Sequence, residues 1–535
     1  MEADYVIVGA GSAGCVLANR LSADGAQVIL LEAGPRDLHP WIHIPAGVLK
    51  LLYNPLVNWM YATEPEAGSG NRAIHWPRGR VLGGSSSING MLFVRGNPAD
   101  FDNWAQMGCR GWTYDDCLPH FKSMERYEAG DDAYRGKDGP LRIEDYRTVL
   151  PITHSFVEAA QQAGFPFAKD LSGATPGEGV GYSQMSRNGR FRGSTAQTFL
   201  RDAKRRPNLR VLTNALALKL LTKGKRCTGV RIDQMGCEIE VKARREVIVS
   251  SGTIASPHLL QISGIGPAAH LKSIGVDVVH DLAGVGSNLS DHYVIRVSHR
   301  LKDAVSINQL AHGVRLVGEV AKFVVTGKGA LTFGVSSAQV FVRSREGLAS
   351  PDIQLLFSPA SYDMSKFGAL EKEPGATLAV SIARPESRGS IMAASPDPTA
   401  RPKIRPNYLS APGDIRVILA GVAHARRIFA APAFAKHSVA EITPGPDLTS
   451  DADLLAHIRA NGTTIYHPVG TCKMGEDPQA VVDSRLRVRG MSGLRVIDAS
   501  IMPLVTTGNT NAPTIMIAEK GATMIREDAK TAVAA

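Results

Sequence analysis

The hydrophobic positions near the start of the chain follow a strand period, then a helix period, then a strand period again. In "DYVIVGAGSAGCVLANRLSADGAQVILLEAG", residues 5–8 form a short apolar run of the kind buried in a parallel sheet. Leu17 and Leu21 recur at helical spacing, and residues 27–31 form a second apolar run. The pattern predicts a strand, a turn, a helix, a turn and a second strand.

A different pattern appears in the second half of the chain. The segments "VSSAQVFVRS", "PDIQLLFSP" and "TLAVSIARPESRGSIMAAS" show short alternating or apolar runs bounded by Pro, Gly and Ser, which predict strands of an antiparallel sheet. Residues 411–433 predict a helix with a polar start and a basic last turn. We therefore expect the α/β class, with a Rossmann-like unit and a second, α+β unit.

Length and charge limit the classes of function. A chain of 535 residues exceeds the size at which one hydrophobic core stops growing, so two or more domains are expected. The net charge of +10 is spread along the chain, and its basic clusters lack interleaved aromatic residues. This disfavours a nucleic-acid partner and leaves weak attraction to an acidic membrane surface or an anionic partner open.

Cysteine usage and the chain start predict a location. The six cysteines form no C-x-x-C pair, which disfavours a disulfide framework, a zinc site or a dithiol centre, and suits a reducing compartment. The first predicted strand begins within the first five residues, and no apolar run reaches the length of a membrane span. We expect a cytoplasmic protein, with peripheral association at the inner face of a membrane left open.

The first turn carries a G-x-G-x-x-G motif, Gly9, Gly11 and Gly14. In such a motif the glycines permit a tight turn, close approach of the backbone to a pyrophosphate, and close packing of helix on strand. Glu32 ends the second predicted strand, where a carboxylate can accept hydrogen bonds from a ribose diol and repel a 2′-phosphate. Together these features predict an adenine dinucleotide, without deciding between NAD and FAD.

Further segments carry a family resemblance. "GRVLGGSSSINGMLFVRGNPADFD" (residues 79–102), "GTIASPHLLQISGIG" (residues 252–266), "HPVGTCKMG" and "VIDASIMPLVTTGNTNAPTIMIAEKGA" resemble segments of the glucose–methanol–choline (GMC) oxidoreductase family, in that family's order. The resemblance runs from about residue 4 to about residue 522. Its nearest subgroup is the bacterial choline-dehydrogenase-like alcohol dehydrogenases.

The resemblance implies FAD as the cofactor. It implies non-covalent binding, because Ile88 stands where some members attach the flavin through a histidine. The motifs and the resemblance together give the expected cofactor-binding residues, namely Gly9, Gly11, Ser12, Ala13, Gly14, Glu32, Ala33, Arg80, Val81, Gly84, Asn89, Gly90, Met91, Leu92, Ala217, Asp498, Ala499, Asn511, Pro513 and Thr514.

The implied domain organisation is discontinuous. We expect an FAD-binding domain built from residues 1–155, 195–305 and 461–535. The substrate-binding domain would comprise residues 306–460, with residues 156–194 as a connecting segment.

The candidate catalytic residues lie in the last part of the chain. A metal site made of His467 and Cys472 is not expected, because zinc needs further ligands and no carboxylate cluster accompanies this pair. Pro468 restrains the backbone after His467, and Asn511 is expected to match the family's partner of this histidine. The resemblance therefore implies His467 as general base and Asn511 as the residue that orients the substrate oxygen. His292, in "GVGSNLSDH", is interpreted as a hydrogen-bonded loop histidine rather than a catalyst.

The implied reaction is oxidation of a primary alcohol to the aldehyde by hydride transfer to flavin N5. Choline-oxidising relatives hold the trimethylammonium group with a glutamate, where this chain carries Ser337 before Phe341, so a neutral alcohol is expected. A quinone or an electron-carrier protein is favoured as acceptor. An oxygen-using alcohol oxidase, a choline dehydrogenase, a flavin-bearing lyase and a non-catalytic flavoprotein remain alternatives. The identity of the alcohol and the oligomeric state stay open.

Overall fold

A computed structural model describes residues 1–173, 177–363 and 369–534 of the chain. The helices in chain order are α1 (Ser12–Ala23), α2 (Pro40–His43), α3 (Val48–Leu51), α4 (Pro98–Gln106), α5 (Tyr114–Met124), α6 (Pro151–Gln162), α7 (Arg201–Ala203), α8 (Gly252–Ile262), α9 (Ala268–Ser273), α10 (Ile307–Leu310), α11 (Gly313–Thr326), α12 (Pro412–Ala430), α13 (Pro432–Ala435), α14 (Asp451–Asn461) and α15 (Asn511–Ala534).

The strands in chain order are β1 (Glu2–Val8), β2 (Val28–Leu31), β3 (Tyr61–Ala62), β4 (His75–Trp76), β5 (Glu125–Arg126), β6 (Leu141–Asp145), β7 (Gly179–Tyr182), β8 (Gln184–Asn188), β9 (Phe191–Arg192), β10 (Leu209–Leu212), β11 (Ala215–Lys223), β12 (Arg226–Gln234), β13 (Cys237–Val249), β14 (Ile265–Gly266), β15 (His280–Asp281), β16 (Tyr293–Leu301), β17 (Ala338–Val342), β18 (Ile353–Ser358), β19 (Tyr362–Asp363), β20 (Ala369–Leu370), β21 (Gly375–Ile382), β22 (Ser390–Met392), β23 (Lys403–Arg405), β24 (Ser438–Thr443), β25 (Thr463–Thr464) and β26 (Leu494–Val496).

The first large sheet has a parallel core in the order β10-β2-β1-β13-β26. β2, β26 and the second half of β1 are short apolar runs buried on both faces, as expected when helices cover a parallel sheet. β13 is long, and its first half also pairs with β12, which continues the sheet to β11 in antiparallel fashion. The structure confirms the predicted strand–helix–strand start and the Rossmann-like unit.

The second large sheet is antiparallel, in the order β24-β16-β21-β18-β17-β7, with β25 paired to the start of β16. One face packs on α6 and α12, and Phe156 of α6 stacks on Phe357 of β18 with ring centroids 4.1 Å apart. The predicted strands at β17, β18 and β21 and the predicted helix at α12 are confirmed. The fold class is therefore the expected one, a Rossmann-like domain joined to an α+β unit with an antiparallel sheet.

Two strands of the antiparallel sheet and one helix packed on it lie outside residues 306–460, the segment predicted for the substrate-binding domain. β16 lies within residues 195–305, β7 within residues 156–194, and α6 begins before residue 155. The sequence of β16, "YVIRVSHRL", partly alternates apolar and polar residues, which is the pattern of a half-buried strand. The antiparallel unit therefore draws on segments before residue 306.

The C-terminal helix α15 ties the two ends of the chain together. It packs on α1 and α5, and Arg20 of α1 forms a two-pronged ion pair with Glu519 at 2.7 and 2.8 Å. Across residues 1–173, 177–363 and 369–534, no helix combines the length and hydropathy needed to cross a bilayer.

Candidate active site

A cavity of about 720 Å³ lies between the glycine loop of the parallel sheet and one face of the antiparallel sheet. Along β16, β18 and β21, alternate residues point to the apolar core around α6 and α12. Several of the residues between them line the cavity, namely Arg296, Leu356, Ser358, Thr377 and Ala379. His467 lines the same cavity as Gly11. One continuous space therefore joins the predicted dinucleotide loop to the predicted base.

The dinucleotide end of the cavity is defined by backbone. Gly11 is the N-cap of α1 and no side chain caps the first turn, so the free N–H groups of the helix end beside the cavity. Gly9 has a φ of +100°, and a Cβ there would lie 2.7 Å from the carbonyl oxygen of Ser250. A Cβ on Gly14 would lie 1.9 Å from the carbonyl oxygen of Gly9. Side chains at these positions would push helix, strand and loop apart.

Glu32 supplies the carboxylate at this end. Its two oxygens accept hydrogen bonds from the backbone N–H groups of Ala10, at 3.1 Å, and Gly34, at 2.9 Å. Burial raises the pKa of the Glu32 carboxyl to about 7, against the opposing effect of these two bonds. The carboxylate is thus fixed at the cavity wall, where a diol can donate to it.

Most of the predicted cofactor-binding residues line the cavity. They are Gly9, Gly11, Ser12, Ala13, Glu32, Ala33, Gly84, Asn89, Gly90, Met91, Leu92, Ala217, Asp498, Ala499, Asn511 and Thr514.

Four predicted residues are not part of the cavity wall: Gly14, Arg80, Val81 and Pro513. Gly14 packs helix on strand, and Val81 lies in a small apolar cluster with Ile42 and Leu51. The guanidinium of Arg80 lies over the ring of Trp59, 5.2 Å from its centroid. The side chains of Val81 and Arg80 therefore pack behind the wall rather than form it.

The residues present fit FAD. The uncapped end of α1 offers N–H donors for a diphosphate, Glu32 offers acceptors for a ribose, and Met91 and Leu92 form an apolar middle section. Met91 has a φ of 63°, which turns this backbone segment tightly past the cavity. Ile88 also lines the cavity and carries no nucleophile.

The backbone of His467 is held at three points. Its N–H donates to the Asp291 carboxylate at 2.7 Å, and Pro468 follows it. The preceding residue, Tyr466, has a left-handed φ of 67°, and its carbonyl accepts from Arg78 at 2.7 Å. A non-glycine residue in this conformation needs support from its surroundings. The anchoring by Arg78 and Asp291 supplies it.

His292 fixes the tautomer of His467. His292 Nε2 lies 3.0 Å from the carbonyl oxygen of Ala383, which can only accept, so Nε2 carries the hydrogen. Neutral His292 therefore has a bare Nδ1, and this atom lies 3.0 Å from His467 Nδ1. His467 must donate from Nδ1, which leaves its Nε2 without a hydrogen. The expectation that His292 is a hydrogen-bonded histidine is confirmed, but its partner is the candidate base.

Asn509, not Asn511, lies beside His467. The amide Nδ2 of Asn509 is 3.2 Å from His467 Nε2, so it donates to the bare nitrogen. Asn511 starts α15, and its Oδ1 accepts from Ser12 Oγ at 2.8 Å, at the dinucleotide end of the cavity. The predicted pairing of His467 with Asn511 is wrong, because Asn511 lies at the start of α15 and its side chain bonds Ser12 at the dinucleotide end of the cavity.

Buried amides of the antiparallel sheet orient Asn509. Gln354 Nε2 lies 3.4 Å from Asn509 Oδ1 and donates to Gln339 Oε1 at 2.7 Å. Gln339 in turn donates to Ser183 Oγ at 3.2 Å. Because the oxygen of Asn509 faces Gln354, its N–H₂ group faces His467.

Both histidines are held neutral. Burial, with smaller contributions from His292 and Arg78, holds the pKa of His467 well below its ordinary value. Burial lowers the pKa of His292 to about 4. The base form of His467 therefore persists to lower pH than that of an exposed histidine.

The substrate side of the cavity carries a cation. Arg296 of β16 lines it, opposite Ala379 of β21. Ser337, predicted at the substrate, is instead buried with its Oγ 3.0 Å from Thr153 Oγ1, and its neighbour Ser336 lies in the cavity wall. The sheet therefore presents a guanidinium where the sequence suggested a hydroxyl.

Sequence reasoning missed Asn509, Arg296 and the role of His292. Pro513 in the first turn signals a helix start close to Asn511, which would have left Asn509 in the loop. The partial alternation along β16 would have placed Arg296 on the face opposite Ile295 and Val297. No local pattern links His292 to His467, because the contact joins residues 175 positions apart.

Comparison with known proteins gives a consistent family. Two family models described as GMC oxidoreductase match residues 3–294 and 385–518. The chain is 44% identical over 530 residues to "Alcohol dehydrogenase [acceptor]" of Pseudomonas putida, covering 98% of this chain and 95% of that protein. It is 42% identical to "Oxygen-dependent choline dehydrogenase" of Photobacterium profundum, covering 98% and 92%.

Solved structures agree with the fold. A pyridoxine 4-oxidase from Mesorbium loti superposes with a TM-score of 0.89 at 32% identity, covering 98% of this chain and 99% of the other. A formate oxidase from Aspergillus oryzae RIB40, described for its FAD modification, superposes with a TM-score of 0.92 at 26% identity, covering 99% of both chains.

Proposed function

The chain belongs to the GMC oxidoreductase family, and we propose that it oxidises a primary alcohol to the aldehyde. Members of this family bind FAD and oxidise alcohols, and FAD is the cofactor of this chain. The bare Nε2 of His467, held at one end of a cavity that reaches the glycine loop, is the observation that carries the proposal.

The residues of the chain divide the reaction between them. FAD, when bound, supplies the acceptor for the hydrogen that leaves the alcohol carbon with its electron pair. His467 Nε2 takes the hydroxyl proton, since its Nδ1 is committed to His292. Loss of this proton and of the hydrogen with its electron pair converts the alcohol to the aldehyde.

Asn509 orients the oxygen that reacts. Its Nδ2 carries two hydrogens, and one of them points to His467 Nε2. An alcohol that donates its proton to Nε2 can accept from the amide, which stabilises negative charge as it develops on oxygen. The amides of Gln354 and Gln339 keep this donor in place.

The substrate is proposed to be an alcohol without a positive charge. Arg296 lines the substrate side, and bringing the trimethylammonium group of choline near a guanidinium costs electrostatic free energy. The charge of Arg296 therefore supports the exclusion of choline, whereas the sequence argument for that exclusion rested on Ser337. The similarity to choline dehydrogenases makes choline the reference substrate for the test.

Electrons are proposed to leave to a quinone or an electron-carrier protein rather than to oxygen. The similarity to "Alcohol dehydrogenase [acceptor]" supports this choice. Equal rates of peroxide formation in air and of dye reduction with an artificial acceptor would contradict it.

The test is an anaerobic screen of the purified flavoprotein with aliphatic, aromatic and polyether primary alcohols and with choline. We expect bleaching of the flavin absorbance with neutral alcohols and little with choline. A protein that binds FAD without oxidising alcohols would show no bleaching with any of them.

Arg296→Gln sharpens the substrate test. We expect kcat/KM for choline to rise by roughly tenfold, because the like charge is removed. Arg300→Gln is the matched control, since Arg300 lies on the same strand but is paired with Glu371 at 3.0 Å. Equal effects of the two substitutions would contradict a role for Arg296 in selectivity.

FAD is proposed to be held without a covalent bond, since Ile88 lines the cavity at the position considered for attachment. Acid denaturation should release all of the yellow colour into the supernatant. Flavin that stays with the precipitate would contradict this.

A further inference from the structure

Helix α11 exposes an apolar face on the molecular surface. Its exposed aliphatic residues are Val314, Leu316, Val317, Val320, Val324 and Val325, with exposed fractions from 39% to 87%. In this helix only Phe323 is buried. A surface helix normally turns its apolar stripe toward the core, so this one presents the stripe outward.

The polar side of α11 is basic. Arg315 and Lys322 are two helical turns apart, so they lie on one side of the helix, and Lys328 follows its end. The acid in the helix, Glu319, is engaged by the protein, because its carboxylate accepts from the backbone N–H of Ala330 at 2.5 Å. Lys322 lies 3.9 Å from the same carboxylate and pairs with it, so the exposed positive charge beside the apolar face comes from Arg315 and Lys328.

We propose that the apolar face of α11 binds the interfacial region of an anionic lipid bilayer. A helix with an aliphatic face and a flank of Lys and Arg lies in the plane of a bilayer, where its apolar face enters the headgroup boundary and its cations meet anionic lipids. Phe191, exposed beside the helix and in edge contact with Phe323, extends the same surface.

Charge favours lipid over a second copy of the chain. Two copies that paired through this face would bring the same exposed cations, Arg315 and Lys328, to both sides of one interface. Anionic headgroups neutralise these cations instead.

The position of α11 relates the bilayer to the cavity. α11 packs on the short helix Ala330–Thr332, which packs on the turn Pro45–Gly47. That turn continues into α3, whose Val48 and Leu49 line the cavity. A bilayer held by α11 therefore lies beside one wall of the proposed active site, although binding to lipid does not depend on the proposed reaction.

The experiment is flotation of the purified holoenzyme with vesicles. One set contains phosphatidylglycerol and phosphatidylcholine, and the other contains phosphatidylcholine alone. We expect binding to the anionic set. The double substitution Val317→Asn and Val324→Asn should weaken this binding by tenfold or more, through loss of apolar contact. Arg315→Glu with Lys328→Glu should weaken it by a similar factor and remove the preference for phosphatidylglycerol.

Met235→Asn is the matched control. Met235 is 81% exposed in the turn between β12 and β13, outside α11, and should leave vesicle binding unchanged. All variants should keep their FAD absorbance and their activity with a water-soluble acceptor, which shows that they are folded.

Three results would overturn the proposal. The first is a parent protein that does not float with anionic vesicles, and the second is equal flotation of the parent and the valine double variant. The third is a parent dimer by light scattering that the valine substitutions convert to a monomer, with no vesicle binding by either. The last result would assign the face to a second copy.

Discussion

The two ends of the cavity are built by different means. At the dinucleotide end, Gly9 and Gly14 let backbone approach backbone, and the free N–H groups of α1 form the wall. At the catalytic end, His467 and Asn509 line the cavity, and a chain of hydrogen bonds runs to them from the Ala383 carbonyl through His292. The first end holds a ligand by shape, by backbone dipoles and by the Glu32 carboxylate, which two backbone N–H groups fix in place. The second needs individual side chains in defined protonation states.

The largest expected effect comes from His467→Ala. This substitution removes the proposed base at the catalytic end and leaves the glycine loop intact. Reduction of the flavin by a neutral alcohol should slow by roughly 10²–10⁴-fold, the usual effect of losing an acid–base catalyst. Stopped-flow absorbance measures the rate of flavin reduction. The flavin content per protein shows whether the dinucleotide end still binds FAD.

The difference between the two ends predicts that flavin content is unchanged in this variant. Loss of FAD together with activity would mean that FAD binding at the dinucleotide end depends on His467 at the catalytic end. A parent-like rate of flavin reduction would show that His467 is only a loop histidine.

The pair Asn509→Ala and Asn511→Ala compares the two ends within one loop. Asn509→Ala should lower the rate of flavin reduction by roughly 10- to 100-fold, because it removes a hydrogen-bond donor from developing charge. Asn511→Ala loses the bond to Ser12 Oγ at the start of α1. It should weaken FAD retention more than it slows reduction of the flavin that remains.

Each variant is the control for the other. Flavin content measured after gel filtration, together with the reduction rate per bound flavin, separates the two effects. A slower rate in Asn511→Ala, with normal flavin and a normal Asn509→Ala, would restore the pairing first predicted from the sequence.

His292→Phe should have the next largest effect. Phenylalanine cannot accept from His467 Nδ1, so the imidazole is free to place its hydrogen on either nitrogen. We expect kcat to fall by about tenfold and the pH profile of kcat/KM to shift, while KM changes little.

His292→Gln tests whether the cause is the tautomer. A glutamine oxygen can accept from Nδ1, so this variant should recover part of the lost rate. Equal losses in His292→Phe and His292→Gln, with unchanged pH profiles, would reduce His292 to a packing residue.

The same contrast explains what the sequence could and could not predict. Gly9, Gly11 and Glu32 lie within one strand–turn–helix–strand segment, where spacing alone fixes the arrangement. The catalytic end joins residues near 292, 339, 354, 467 and 509, and the sheet that brings them together cannot be derived from local periodicity. Whether Asn509 or Asn511 contacts His467 depends on where the helix α15 starts. Whether Arg296 reaches the cavity depends on which face of β16 it occupies.

The smallest expected effect concerns stability at low pH, and it has opposite signs at the two ends. His292 has a pKa of about 4 in the folded chain, below its unfolded value near ~6.5. The unfolded state therefore binds the proton first, and stability is lost as pH falls from about 6.5 toward about 4. Glu32 has a folded pKa of about 7, above its unfolded value, so the folded state binds the proton first. Stability contributed by Glu32 is present at low pH and is lost as pH rises from about 4.5 through about 7.

Thermal denaturation of the parent, His292→Gln and Glu32→Gln across this pH range measures how each group changes the pH dependence of stability. Each group contributes at most ~1.4 kcal/mol per unit of pH. Removing the titrating histidine should make the melting temperature fall less steeply on acidification, and removing the titrating carboxyl should make it fall more steeply. Bound FAD opposes the second change, because a ribose that donates to Glu32 favours the carboxylate. If both variants changed the slope in the same direction, the two ends of the cavity would share one electrostatic environment, and the contrast between a backbone-built and a side-chain-built end would fail.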